Sequence, residues 1–143
     1  MFMELFSSPI KKVTFEDVQI AVKNKDKYIL INTLPVMEQD CLILNTISYH
    51  REENLMNELL GQYSLKDKCI IVYGKNVNDD SVEKKYRQLV GLGFQEVYAY
   101  LGGLFEWVLL QDIYGKDEFP TTSKILDILK FRGKSQFYFE AEP

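Results

Sequence analysis

Apolar residues fall along the chain in two rhythms. The first is a set of short, nearly unbroken apolar runs: Tyr28 to Asn32 (YILIN), Cys69 to Tyr73 (CIIVY) and Glu96 to Leu101 (EVYAYL). Runs of this length without polar alternation predict strands covered on both faces, as in parallel sheets, and CIIVY is the most central of them. The second rhythm is helical. Thr14 followed by an acid at Asp17 reads as a helix start, with Val18, Ala21 and Val22 on the inner face through about Val22. Arg51 to Leu60 carries Leu55, Leu59 and Leu60 at helical spacing before Gly61. The next helix has Val82, Tyr86, Leu89 and Val90 and stops at Gly91 or Gly93, with Asp80 and Glu83 as its capping pair. Gly102-Gly103 predicts a tight turn before a helix from Leu104 to Asp112 that holds the only tryptophan, Trp107.

Strands and helices in alternation predict an α/β fold, a mostly parallel sheet of about five strands with helices on both faces. A short β-like piece, Cys41 to Leu44, lies in an otherwise irregular stretch. Thr122 or Ser123 is expected to cap a last helix with Ile125, Ile128 and Leu129 on one face, ended by Gly133. Residues 1–133 then form one domain, and 134–143 form a tail. Gln136 to Glu140 suits a short strand or an extended docking segment, and at least two of Phe137, Tyr138 and Phe139 are expected to make a contact, in the chain's own domain or across a homodimer.

Composition narrows the classes of function. With 143 residues, 46% hydrophobic and 13% aromatic, the chain can bury a core without a structural metal. The net charge of −4, with no block of Lys and Arg, argues against a nucleic-acid partner. No apolar run approaches the roughly 20 residues of a membrane span, and the N-terminal segment has no secretory pattern, so the expected compartment is the cytoplasm. Cys41 and Cys69 are too few for a disulfide framework and lack the paired spacing of a zinc site. His50 is the only histidine. Neither a metal nor a cofactor is expected.

The order of local words from Ile70 to Trp107 resembles the second half of a rhodanese-like domain. The apolar strand IIVYG leads to a loop, a helix closes with Leu92-Gly93-Phe94, and the strand with Val97-Tyr98 leads to Gly102-Gly103 and a helical Trp107. VTFEDVQIAV is similar to the family's opening helix, and the resemblance spans about residues 10 to 115. In YILINTL, Asn32 and Leu34 stand where the family usually has an acid and an arginine. GGLFEWVLLQDIYG followed by FPTT is similar to a subgroup from large DNA viruses and single-celled eukaryotes. The resemblance implies a loop in which a cysteine thiolate is held by backbone N–H groups at a helix N-terminus. Here that loop is Gly74, Lys75, Asn76, Val77, Asn78, Asp79, Asp80 and Ser81, with neither cysteine nor arginine.

Covalent sulfur transfer therefore has no attacking group in the loop. Asp79 and Asp80 place carboxylates where the family would hold an anion, whether as simple helix caps or as a charge barrier. Cys41 and Cys69 read as buried apolar residues, Lys75 as a surface lysine, and His50 as a solvated side chain beside Glu52 and Glu53. Ser81 would need a base to act. The expected function is a catalytically inactive rhodanese-like protein that binds or regulates a protein partner, as monomer or homodimer. Two alternatives stand beside it: a sulfurtransferase-type enzyme that uses Cys41 or Cys69, and an oligomeric structural protein.

Overall fold

The computed structural model describes residues 8–62 and 66–137. Three parallel strands form the sheet: β1 (Tyr28–Asn32), β2 (Cys69–Tyr73) and β3 (Val97–Tyr100) in the order β1-β2-β3, with Tyr28 opposite Cys69 and Ile71 opposite Tyr98. CIIVY is the central strand, as its unbroken apolar run predicts. Of the five helices that the apolar spacing predicts, four are present among the described residues: α1 (Phe15–Lys23), α2 (Tyr49–Gly61), α3 (Ser81–Gly91) and α4 (Gly103–Tyr114).

The helices cover both faces. Met56 and Leu59 of α2 and Val82, Tyr86 and Leu89 of α3 pack against Ile29, Ile31, Ile70, Val72 and Val97. On the other face Val18, Ala21 and Val22 of α1 and Leu104, Trp107 and Val108 of α4 pack against Leu30, Ile71, Tyr73 and Tyr100. Two-sided burial explains why the strands show no polar alternation. Trp107 is fully buried, and its Nε1 donates to the Pro120 carbonyl at 3.0 Å. Thr14 opens α1 as expected, its N–H donating to the Asp17 carboxylate at 2.9 Å.

Three expectations need correction. Among the described residues the sheet has three strands, not about five, because the outer segments pair at single residues: Lys12 with Ala99 beyond β3, and Thr46 with Leu30 beyond β1. The first segment turns into α1 within two residues, and the second comes out of a turn in which Asn45 has φ 69°. The piece at Cys41 to Leu44 is likewise one antiparallel bridge, Ile43 to Thr121.

The second correction concerns the last helix, which is only a 3₁₀ turn over Ile128–Phe131. Thr122 and Ser123 are bonded to distant backbone instead of capping a helix. Leu42 N–H donates to Thr122 Oγ1 at 3.0 Å, and Ser123 Oγ donates to the Asp40 carbonyl at 2.8 Å. The third is the tail's conformation: Gln136 and Phe137 are helical and not extended, with Phe137 78% exposed, while Tyr138 and Phe139 lie outside the described residues. No helix among the described residues is long and apolar enough to cross a membrane.

Because Trp107 joins α4 to both the sheet and the 119–120 turn, Trp107→Ala should lower stability by about 3–5 kcal/mol in urea unfolding. Ile113→Ala, at an exposed position of the same helix, should change it by less than about 0.5 kcal/mol.

Candidate functional site

The loop 74–80 leaves the carboxyl end of β2 and enters α3, the place where ligands of open α/β sheets collect. Its shape is set by Asp79. One carboxylate oxygen, Oδ2, accepts the Lys75 N–H at 2.9 Å. The other, Oδ1, accepts the Ser81 N–H at 3.1 Å and the Ser81 hydroxyl at 2.5 Å. The side chain thus spans the loop from its first turn to the N-terminus of α3, taking N–H groups that a bound anion would need. Asp80 sits at the helix start in helical conformation without a capping bond of its own. The cap is Asp79, one residue before the pair Asp80 and Glu83, because only from that position can the carboxylate reach back to Lys75 as well.

Asn76 is the second organiser. Its Oδ1 accepts the Asn78 N–H at 2.9 Å, and its Nδ2 donates to the Phe131 carbonyl at 3.0 Å. Phe131 is fully buried, so the loop is tied to a segment that is itself anchored in the core. From below, α4 closes the loop: Leu104 and Phe105 donate their N–H groups to the carbonyls of Gly74 and Lys75, both at 2.9 Å. That approach needs Gly103, whose φ is 70° and where a Cβ would stand 2.8 Å from the Gly74 oxygen.

Gly74 has no room either. A Cβ there would meet Asp79 Oδ2 at 2.5 Å and Val82 Cγ2 at 2.6 Å. Lys75 pairs with Glu38 at 2.6 Å, and Ser81 Oγ also lies 2.8 Å from the Thr33 hydroxyl. Val77 and Asp80 are exposed at the rim. In front of the loop is an open cleft of about 1150 Å³, lined also by Lys130, Arg132 and Lys134.

A family model for the rhodanese-like domain matches residues 14–110, more than half of the chain. The chain belongs to the rhodanese-like domain family. Solved structures agree on the fold. BH2092 protein from Bacillus halodurans is 23% identical, with 80% of this chain and 78% of that one covered at a TM-score of 0.55. Alr3790 protein from Anabaena sp. is 17% identical, covering 82% and 84% at 0.55. Ygr203w, a yeast protein tyrosine phosphatase of the rhodanese family, is 14% identical, covering 81% and 94% at 0.55. No curated protein gives a significant match.

Within this rhodanese-like domain the other candidate residues lie apart from the loop. Cys69 begins β2, at the opposite end of the sheet. Its half-buried thiol is pushed up from the ordinary range first by burial and then by the Glu96 charge. Cys41 is fully buried, its Sγ 3.4 Å from the Ser123 carbonyl. His50 is exposed at the start of α2, edge-on to Tyr49. Asn32, at the end of β1, is buried, and its Oδ1 accepts the Leu34 N–H at 3.0 Å. Among the described residues no group of three or more His, Cys, Asp or Glu could hold a metal.

Sequence reasoning missed Thr33, Glu38 and the wall at 130–134. Thr33 directly follows β1, Glu38 ends the 3₁₀ turn Val36–Glu38 beyond it, and the wall depends on a turn that the helical spacing conceals. Replacing Asp79 by Ala removes the acceptor for two N–H groups. Asp79→Ala should therefore cost about 1–2 kcal/mol in chemical unfolding, with Asp80→Ala within about 0.5 kcal/mol.

Proposed function

We propose that this chain is a non-catalytic rhodanese-like protein that acts by binding another protein, with the cleft in front of the 74–81 loop as the contact region. The observation that carries the reading is the Asp79 carboxylate bonded to the Lys75 and Ser81 N–H groups. A family member that transfers sulfur needs a thiolate in that cradle, and this loop has no thiol and an internal anion instead. The same absence weighs against a phosphatase activity of the kind named for Ygr203w.

Neither cysteine offers a good substitute. Cys41 is sealed in the core, and Cys69 is a strand's length from the loop with its thiol shifted toward the neutral form. Ser81 is no better placed, since its hydroxyl already donates to Asp79 and the only histidine lies at the start of α2.

Purified protein should show no thiosulfate:cyanide sulfurtransferase turnover above buffer. Turnover that disappears in Cys41→Ser or Cys69→Ser would overturn the reading. Gly74→Cys alone should also remain inactive, because the new Cβ collides with Asp79 and the carboxylate repels a thiolate. Sulfurtransferase activity in that single variant would show that the loop is still a working cradle.

A further inference from the structure

The segment from Lys124 to Gly133 is docked on the molecule without joining its framework. Thr122 and Ser123 are still bonded to residues 40–42, but from Lys124 to Gly133 the backbone–backbone hydrogen bonds are local: Lys130 N–H to the Asp127 carbonyl and Arg132 N–H to the Leu129 carbonyl. The apolar spacing of this stretch suits a helix, yet the docked segment leaves Leu126 89% and Leu129 56% exposed. Its anchor is Phe131, fully buried in one cluster with Leu104 and Val108 of α4, while Ile125 and Ile128 are half-buried against the same cluster.

Around Phe131 the contacts are those of a seated peptide. Its main-chain carbonyl accepts Asn76 Nδ2 at 3.0 Å, and the preceding Lys130 pairs with Asp40 at 3.7 Å. Two residues beyond, Gly133 runs so close to the loop that a Cβ there would stand 2.8 Å from Asn78 Nδ2. Asn76 and Asn78 belong to the 74–81 loop, and Lys130, Arg132 and Gly133 line the cleft in front of it. A segment held by one anchor and a few side-chain bonds, with no strand or long helix of its own, opens locally at a lower free energy than the sheet does.

We propose that residues 128–133 are an internal ligand, filling a docking seat whose outside occupant is a peptide segment of the partner protein with the same chemistry: a basic residue, an aromatic residue, and glycine two positions on. The incoming aromatic takes the place of Phe131, and its carbonyl accepts Asn76 Nδ2. The contact within the chain is autoinhibitory, since the partner must outcompete a tethered segment, and it also keeps the seat in its bound shape. This rests on the reading of the cleft as a protein-binding site and names the segment that the cleft takes.

The probe is a fluorescently labelled synthetic peptide of residues 124–136, added to full-length protein and followed by anisotropy. Phe131→Ala empties the seat, so this variant should bind the peptide saturably and at least about ten-fold more tightly than the wild type does. Replacing the phenylalanine of the peptide by alanine should weaken that binding at least about ten-fold. Phe131→Leu, a milder change, should fall between the wild type and Phe131→Ala, and hydrogen-exchange protection of the β2 amides shows that each variant is folded. A folded variant that binds no better than the wild type, or that is indifferent to the loss of the peptide's phenylalanine, would overturn the proposal. Unfolding of both variants would overturn it too, because Phe131 would then belong to the one cooperative core. None of these readouts is an activity, so a peptide that does not bind removes the occupant and leaves the non-catalytic reading to the turnover assay.

Discussion

The chain leaving β2 passes from a strand buried on both faces into a loop between two helices, and the backbone polar groups at its buried start must find partners within the protein. The Tyr73 carbonyl takes the Thr33 N–H, those of Gly74 and Lys75 take the first N–H groups of α4, and the Lys75 N–H goes to Asp79. Everything around the site follows from this. Thr33 fixes the end of β1 beside the loop. The turn before α4 must come close enough for its N–H groups to reach Gly74 and Lys75. Asp79 must reach back across the helix start. One buried strand end thus positions three elements.

Two glycines make the arrangement possible and also limit its chemistry. Gly103 lets α4 meet the loop backbone, and Gly74 leaves the space that the Asp79 carboxylate fills. A side chain at 74 and a carboxylate at 79 compete for the same volume, so a thiol cannot simply be added to this loop. Removing Asp79 would free the space but leave the Lys75 and Ser81 N–H groups without their acceptor. That is the condition under which an external anion becomes favourable. On the proposed reading, inertness at this site is a property of the pair of positions and not of one missing cysteine.

The elements that were legible in the sequence are those whose partners lie nearby or whose burial is symmetric. CIIVY announces a central strand because burial on both faces removes polar alternation, and Thr14 with Asp17 announces α1 because both partners sit within one turn. The loop was legible as a region, through the glycine and the acids that follow CIIVY, but its internal assignment was not. Asp79 and Asp80 are equivalent by composition, and only the reach back to Lys75 separates them. What stayed hidden depends on contacts far along the chain. The spacing of Ile125, Ile128 and Leu129 fits a helix, yet Phe131 is drawn into the core and the Thr122 and Ser123 side chains are bonded to residues 40–42. Tertiary bonds of that kind outweigh a weak local preference.

Tyr73 shows how such distant bonds shape the site without appearing in any motif. It is fully buried, which pushes the pKa of its phenol up, and its hydroxyl accepts the Ile43 N–H at 3.1 Å and lies 2.7 Å from Thr46 Oγ1. Through that hydroxyl the irregular stretch 41–46 is held against the last residue of β2, and the same stretch binds 122–123, which begins the path to Phe131 and the far wall of the cleft. The cleft's two sides are thus tied to one strand, Asp79 through the loop and the 130–134 wall through Tyr73 and the Asn76 bond to the Phe131 carbonyl. The partner proposed above would meet a surface that is already tied to the core, and pre-ordering of this kind lowers the entropic cost of association.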